Sequence, residues 1–285
     1  MAGFRNLSRY ARSYDEGRMY STTFRKVPSQ ASTAGWWVDL SMAAGFPVPN
    51  YYASNPLESA VLNGGRGIYH GDDKTPASKH LAEFQLVTPT AGLVGTYTLM
   101  DYVMYYPFID TDTSDEQAFD NTTTLPRYTD GDGVQAMAVA LAPTAGGGSF
   151  YFTYYNQAGV LKTSPTQLYT TTAAQIATLV TSQQAVSGSG IPFLRLATGD
   201  TGIRSMVSWV NVSSGGPANI AIVLVKPLLT MPVQEINAPT QVTLVSQRAA
   251  SPRVYDDAYL GLICNCAATV AAGLLTGIAT FIWSD

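Results

Sequence analysis

One run of sequence constrains the fold more than any other, because it favours a β-strand and both of its faces are apolar. Residues 92–106 are rich in β-branched and aromatic side chains. Successive side chains of a strand point to opposite faces. One face therefore carries Thr96, Thr98, Met100, Tyr102 and Met104, and the other carries Tyr97, Leu99, Val103 and Tyr105. A strand of this kind is expected to be covered on both sides.

Short extended runs recur along the chain, separated by Gly, Pro, Asn and Asp. They fall at 20–27, 36–41, 82–88, 134–142, 149–155, 203–212, 219–226 and 241–246. Two pairs of runs flank glycine-containing loops, 134–142 with 149–155 and 203–212 with 219–226, which predicts two hairpins. Long strand–helix alternation is absent, which argues against a doubly wound sheet. We predict an all-β fold, mainly an antiparallel sandwich or a jelly-roll-like arrangement, whose strand order stays open.

Two short helices are also predicted. Residues 55–58 read Asn-Pro-Leu-Glu, which supplies an N-cap, a first-turn proline and a capping-box acid. This helix should run to about residue 62. A second helix is expected at 172–182, where Ile176, Leu179 and Val180 follow a threonine cap at helical spacing.

The run 258–283 contains no charged residue. It is long enough to cross a bilayer, and Gly273 and Gly277 have the spacing of packed membrane helices. Polar residues and glycines dilute it, and no positive cluster flanks it. It predicts two paired, buried strands with a turn near 267–272, with a membrane span as the alternative. Cys264 and Cys266 lie two residues apart, a poor span for a disulfide, so both are expected to be buried free thiols.

Residues 1–30 are predicted to form an extended N-terminal arm, and residues 31–285 a single β-rich domain with a long loop at 107–133. The arm is basic, is studded with tyrosines and lacks the apolar core of a signal peptide. Such a segment packs on its own domain or a neighbour, which is the preferred interpretation, or contacts nucleic acid. The candidate interaction residues are Arg5, Arg9, Tyr10, Arg12, Tyr14, Arg18 and Tyr20.

Charge is scarce in the chain as a whole. Charged residues make up 13% of the 285, and the formal net charge is −4, whereas a typical soluble domain has about 25% charged residues. This balance excludes a basic nucleic-acid coat and an acidic tail protein. The polar surface must come from Ser, Thr, Asn and Gln, which suits a β-rich protein that packs against neighbours.

Residues that could carry catalysis are few. His70 and His80 are the two histidines, and no Gly-x-Ser-x-Gly sequence supplies a nucleophile. His70 is interpreted as a turn residue that donates to a loop carbonyl. Zinc-ligand spacing and a phosphate-binding loop are absent, and Trp36 and Trp37 would point to opposite faces of a strand. We predict no enzymatic activity and no cofactor.

Carboxylates concentrate in the predicted long loop. Asp110, Asp112, Asp115 and Asp120 lie within eleven residues. They are weak candidates for binding a hard cation, which needs several oxygens held close together. The EF-hand pattern fails, because Asp115 stands where glycine is required. The alternatives are solvated charges and contacts with a basic neighbour, for which the arm of another copy would be suitable.

Several motifs spread over the chain carry a resemblance to a known family. The segments 37–42, 49–58, 67–73, 125–128 and 255–260, together with the ending Phe281-Ile282-Trp283, resemble a family of tailed-bacteriophage virion structural proteins associated with the capsid. The resemblance covers nearly the whole chain. It implies a β-rich subunit, present in many copies on or near the capsid, with no catalytic residues to carry over.

The resemblance and the composition together lead to one functional expectation. The chain is expected to be a decoration or cement protein of the virion, binding the major capsid protein or neighbouring subunits as a homo-oligomer, with a trimer favoured. No specific nucleic acid and no membrane are expected as partners. The alternatives are a tail or portal-vertex component, a virion-associated glycan depolymerase and a bacterial surface protein.

Overall fold

The computed structural model describes residues 4, 7–29, 32–171, 173–181, 191–244, 251–266, 268–270 and 272–284. Over these residues the chain forms one α-helix, three short 3-10 helices and seventeen strands, so the prediction of an all-β fold is confirmed. The helix α1 is Leu7–Asp15, and the 3-10 helices are Leu40–Met42, Gly64–Arg66 and Ala91–Leu93. The strands are β1 Met19–Val27, β2 Trp37–Asp39, β3 Ala44–Phe46, β4 Ala60–Val61, β5 Ser78–Val87, β6 Gly95–Asp110, β7 Gln117–Ala118, β8 Gln135–Ala140, β9 Ser149–Asn156, β10 Leu161–Thr163, β11 Gln167–Leu168, β12 Ile203–Ser213, β13 Asn219–Val233, β14 Thr240–Thr243, β15 Arg253–Val254, β16 Leu260–Cys266 and β17 Leu275–Ser284.

The named strands form three sheets, and every pair of them is antiparallel. The terminal sheet has the order β14-β5-β17-β1-β3, with β15 also on β5. The central sheet has the order β2-β16-β6-β13-β8, with β4 also on β6. The distal sheet has the order β10-β9-β12-β7, with β11 also on β9.

Two hydrophobic cores separate the three sheets. In β13 the side chains of Ala221, Val223 and Val225 enter the core shared with the terminal sheet. Their neighbours in the alternating pattern, such as Ile222 and Leu224, enter the core shared with the distal sheet. The long strand β6 also contributes to both cores, so the prediction of a strand covered on both sides is confirmed. The predicted division of its faces is wrong, because Tyr102 and Met104 lie in different cores and Val103 lies in the same core as Met104. Register shifts against β13 interrupt the alternation along this strand. The fold is a three-layer β-sandwich with the central sheet in the middle.

The second predicted helix is wrong over the described part of 172–182. Residues 177–180 instead lie between the two outer strands of the central sheet. The backbone of Leu179 donates to Trp37 of β2, and the backbone of Val180 donates to Ala138 of β8, both at 2.9 Å. The apolar residues that favoured a helix instead point alternately to the two sides of the sheet, with Leu179 in one core and Val180 in the other.

The first predicted helix is also wrong. Glu58 forms a parallel bridge with Asp120, and strand β4 follows at once. The capping signal of Asn55 is still used locally, since its amide donates to the Glu58 carboxylate at 2.5 Å. The chain then leaves the turn as a strand because Ala60 and Val61 pair with Tyr105 and Met104 of β6.

All three predicted strand pairs form strands, but none of them forms a hairpin. The loop after β8 crosses to the distal sheet, the loop after β12 crosses back to the central sheet, and the connection after β16 crosses to the terminal sheet. The period-two pattern identifies a strand but not its hydrogen-bonding partner. Cys264 and Cys266 are buried free thiols, as predicted. In the part of the chain that the structure describes, no helix is both long and apolar enough to span a membrane.

The predicted arm and the predicted long loop are both shorter than expected. Residues 7–15 form α1, and Met19–Val27 is strand β1, which pairs with β17 and β3 inside the terminal sheet. An extended arm reaching residue 30 is therefore wrong. Strand β6 continues to Asp110, and β7 interrupts the loop at Gln117–Ala118.

Candidate functional site

A buried ion pair fixes one end of the predicted loop to the central sheet. Arg127 donates to both oxygens of Asp101, at 2.5 Å and 2.7 Å, and both side chains are about 1% exposed. The guanidinium also donates to the carbonyls of Leu62 and Tyr102 at 3.1 Å and 2.7 Å. Burial raises the pKa of Asp101, and the hydrogen bonds from Arg127 oppose that shift. The pair is enclosed and its hydrogen bonds join separate parts of the chain, so it acts as a structural tether.

Asp39 is a second buried carboxylate, and it is held by hydroxyl groups. It accepts hydrogen bonds from the backbone and side chain of Ser41, both at 2.8 Å. It also accepts from the hydroxyls of Tyr52 at 2.5 Å and Tyr102 at 2.8 Å. Burial raises the pKa of Asp39, and these donors oppose the shift. Tyr102 connects the two clusters, because its hydroxyl binds Asp39 and its carbonyl binds Arg127.

Lys26 lies buried near Asp39 without contacting it as an ion pair. Its ammonium group donates to the carbonyls of Ala43 at 3.2 Å and Pro47 at 2.8 Å. Burial lowers the pKa of Lys26 to about 8, and the charge of Asp39 opposes the shift. These contacts attach the chain around β3 to strand β1.

The histidines have structural partners. Lys79 donates to Nδ1 of His70 at 3.0 Å, so Nε2 of His70 carries the proton and donates to the Ala258 carbonyl at 2.9 Å. This contact agrees with the interpretation of His70 as a donor to a loop carbonyl. Burial, and then the charge of Lys79, lowers the pKa of His70. A ring nitrogen of His80 lies 3.1 Å from the Ser251 carbonyl. The described residues place no serine or cysteine side chain in hydrogen-bond contact with either ring.

The candidate metal ligands lie on the surface. Asp110, Asp112, Asp115 and Asp120 are all exposed, as is Glu116. Asp110 accepts a hydrogen bond from the backbone of Asp112 at 2.8 Å, which is a local turn contact. Within the described ranges, no group of three or more His, Cys, Asp or Glu side chains could hold a metal ion. We call the five exposed acids of 110–120 the acidic loop.

A cavity of about 430 Å³ lies beside Asp39, and large exposed apolar side chains occur in the segment next to it. Phe46, Val48 and Tyr51 project from the segment that carries β3, and they are 60%, 53% and 62% exposed. Phe108 of β6 lines the same cavity as Tyr51 and is 37% exposed. We call these four residues the apolar rim. Strand β3 is an edge strand that pairs with β1 alone among the described strands.

The sequence reasoning did not identify the apolar rim. A signal was present, since 43–57 contains aromatic residues and prolines but no charged residue. Such a segment has no period-two pattern, and the predictions that touch it are the helix beginning at 55–58 and the family resemblance of 49–58. Pro47 and Pro49 have no backbone N–H to donate to a neighbouring strand, so regular strand pairing ends here and the aromatic rings lie outside the sheets.

The predicted interaction residues divide between α1 and the body of the protein. Arg5 lies outside the described residues. Arg9, Arg12 and Tyr14 are exposed on α1, whereas Tyr10 is half-buried and its ring lies 5.6 Å from Phe4. Arg18 and Arg12 both contact the carboxylate of Glu16 at 2.8 Å. Tyr20, in β1, packs edge-on against Tyr69.

Helix α1 also exposes an apolar stripe. Leu7, Ala11 and Tyr14 are spaced by four and three residues, so they share one helix face. All three are exposed, and Leu7 and Tyr14 are 69% and 57% exposed, while Ser13 on another face is buried. We call these three residues the α1 stripe. Tyr14 is among the interaction residues predicted from the sequence, whereas Leu7 and Ala11 are not.

Comparisons with known proteins give no assignment. No protein-family model matches the chain, and no curated protein matches it. Among solved structures, a mutant VP2 protein of infectious bursal disease virus, from derived T=1 particles, is 10% identical over 93% of this chain and 77% of that chain, with a TM-score of 0.17. A VP2 subviral particle of the same virus is 8% identical over 93% and 80%, with a TM-score of 0.17. Scores this low establish no common fold, so the function is argued from this chain itself.

Proposed function

We propose that this chain is a structural subunit of a tailed-bacteriophage virion that decorates and stabilises the capsid shell. The observation that carries the proposal is the apolar rim, a set of large exposed side chains near the edge strand β3, two of which line a cavity. Exposed apolar patches of this kind mark interaction surfaces. The resemblance of the sequence to virion proteins supplies the assembly in which that surface would work.

The interior of the protein fits the same role. The buried charges are each held by two or more hydrogen bonds to different parts of the chain, which ties loops to the sheets. The rigid three-layer body would present its surface features in fixed positions. Fixed positions reduce the entropy lost on binding, and many modest contacts then add up over a shell.

Counting copies per particle tests the proposal. Quantitative mass spectrometry of gradient-purified virions should find this chain at a copy number comparable to that of the major capsid protein. A few copies per particle, recovered with tails after capsid disruption, would favour the tail or portal-vertex alternative. Absence from purified virions would contradict any virion role.

The depolymerase alternative has a separate test. The purified chain should leave overlays of host capsular polysaccharide intact over a range of pH. The structural proposal would be overturned if the chain cleared an overlay and if replacing one of its acidic residues by the corresponding amide abolished that clearing.

A further inference from the structure

We infer that the apolar rim of one copy binds the α1 stripe of a second copy, so that subunits join head to tail. This inference names the partner of the surface described above and therefore rests on the proposed function. Both surfaces lie on the same chain, and both expose side chains that a monomer would leave in water. The side chains of Leu7, Tyr14, Phe46, Val48 and Tyr51 are each more than half exposed.

The two surfaces differ in form. The α1 stripe projects from a helix, whereas the rim residues Tyr51 and Phe108 line a cavity of about 430 Å³ whose apolar lining includes Met42, Leu141 and Ile176. Binding cavities of about 300–1,000 Å³ accept ligands of side-chain size and larger. An amphipathic helix that places an apolar face in such a groove is a common mode of recognition between proteins. Tyr14 is the side chain best placed to enter the cavity, because it combines a large ring with a polar tip.

Charge decides which second surface the rim should accept. Asp110 follows Phe108 by two residues in β6, and its register partner Asn219 accepts a hydrogen bond from the lining residue Leu141. The acidic loop therefore begins beside the cavity, and 110–120 contains five acids and no basic residue. Two rims facing each other would bring like charges together, which is unfavourable.

The segment that carries the α1 stripe has the opposite balance. Residues 7–18 contain Arg9, Arg12 and Arg18 against Asp15 and Glu16. Arg12 and Arg18 both contact Glu16 within the chain, and the segment as a whole carries one net positive charge. The favourable combination is therefore one stripe against one rim, because a segment of net positive charge then faces the acidic loop of the neighbour. This contact is heterologous, and repeated contacts of that type produce closed rings when the rotation between copies closes.

Complementation between two variants tests the inference with the full chain. Leu7→Glu/Tyr14→Glu removes the stripe and keeps the rim, and Phe46→Glu/Tyr51→Glu removes the rim and keeps the stripe. Sedimentation velocity should find the wild type in a concentration-dependent oligomer. Each double variant should sediment as a monomer of 30.4 kDa, with a dissociation constant raised at least about tenfold, as for aromatic anchors at interfaces. An equimolar mixture of the two variants should form a dimer, because one intact stripe meets one intact rim.

A matched control uses other exposed apolar residues. Val160→Glu/Leu161→Glu changes residues that are 49% and 54% exposed on the distal side of the molecule, and it should leave the oligomer unchanged. Thermal melts must show that each variant is folded, and Tyr14→Ser and Tyr51→Ser replace the double variants if they are not. A mixture that stays monomeric while the wild type associates would overturn the inference, as would a wild type that is monomeric at all concentrations.

The two proposals fail in different ways. If the mixed variants dimerise but the chain is absent from virions, the proposed function is wrong and the contact remains. If the chain is abundant in virions but the mixture never dimerises, the contact is wrong and the virion role remains.

Discussion

Asp101 and Asp110 lie nine residues apart in strand β6 but occupy opposite environments. Asp101 is fully buried and receives two hydrogen bonds from Arg127. Asp110 is exposed at the end of the strand, where the acidic loop begins. Asp101 therefore helps to hold the fold together, whereas Asp110 is accessible to another molecule. The comparison teaches that charge in this sparsely charged protein is divided between internal tethers and an outer surface.

The largest effect should come from removing the partner of the buried acid. Arg127→Met leaves Asp101 buried without its cation, and we expect unfolding to be easier by about 3–5 kcal/mol. Chemical denaturation of the full chain measures the change. The double variant Asp101→Leu/Arg127→Met should recover part of the loss, because no unpaired charge remains. The single variant Asp101→Leu completes the comparison. If the loss of stability in the double variant equals the sum of the losses in the two single variants, the ion pair does not explain the instability of Arg127→Met.

Lys26 has no ion-pair partner among the described residues, and its burial should show itself as a dependence of stability on pH. The pKa of Lys26 is lowered from 10.5 to about 8 in the fold, so the unfolded chain binds more protons between those values. The contribution of Lys26 to stability should therefore rise as the pH rises from about 8 to 10.5, and the full penalty should be present below 8. The wild type should gain up to about 3 kcal/mol over Lys26→Met across this window, at about 1.4 kcal/mol per pKa unit.

Denaturation series for both proteins at matched pH values check this sign. Subtracting the free energy of unfolding of Lys26→Met from that of the wild type at each pH removes the contribution of tyrosines that titrate in the same range. Parallel curves for the two proteins would contradict the shift, and a wild type that loses stability relative to the variant would reverse it.

A smaller effect is expected where the buried acid loses one of several donors. Tyr102→Phe removes the hydroxyl that donates to Asp39 at 2.8 Å, which should cost about 1–3 kcal/mol because the acid is enclosed. Tyr155→Phe is the matched control on an exposed tyrosine, and it should change stability by less than about 0.5 kcal/mol. Equal effects in the two variants would show that the hydroxyl cluster contributes nothing specific.

The smallest effect on stability should come from the acidic loop. Asp115→Asn/Glu116→Gln changes two exposed acids, and unfolding should change by less than about 0.5 kcal/mol. Self-association should nevertheless weaken, most clearly at low salt, where exposed charges are least screened. Sedimentation velocity at two salt concentrations separates the two effects. If the variant lost much stability and its oligomer were unchanged, the acidic loop would stabilise the fold as Asp101 does, and the contrast between buried and exposed acids would be wrong.

The sequence predicts the positions of many strands correctly but does not predict which strands pair with each other. The two-faced pattern of β6 predicted a strand covered on both sides, which the two cores confirm, although the strand does not alternate regularly between them. The pairing of β9 with β12, rather than with β8, could not be predicted, because a strand bonds to whichever edge the packing of distant sheets brings near. The capping signal at 55–58 failed for a related reason, since the bridge to Asp120 outweighed a weak local preference.

The candidate site was predicted only in part. Tyr14, the arginines of α1 and the acidic residues of 110–120 were identified from charge and aromatic content. The rim residues Phe46 and Tyr51 were not, because an irregular proline-rich segment carries no periodic signal of exposure. The buried pair of Asp101 and Arg127 joins residues 26 positions apart in the chain, and only the fold reveals that contact.

Adding the purified chain back to capsids that lack it tests the central claim most directly. Electron cryomicroscopy should then show saturable density at symmetry-related positions on the outer shell, and Phe46→Glu/Tyr51→Glu should reduce the occupancy. Bare shells at saturating concentrations of folded wild-type chain would contradict the account.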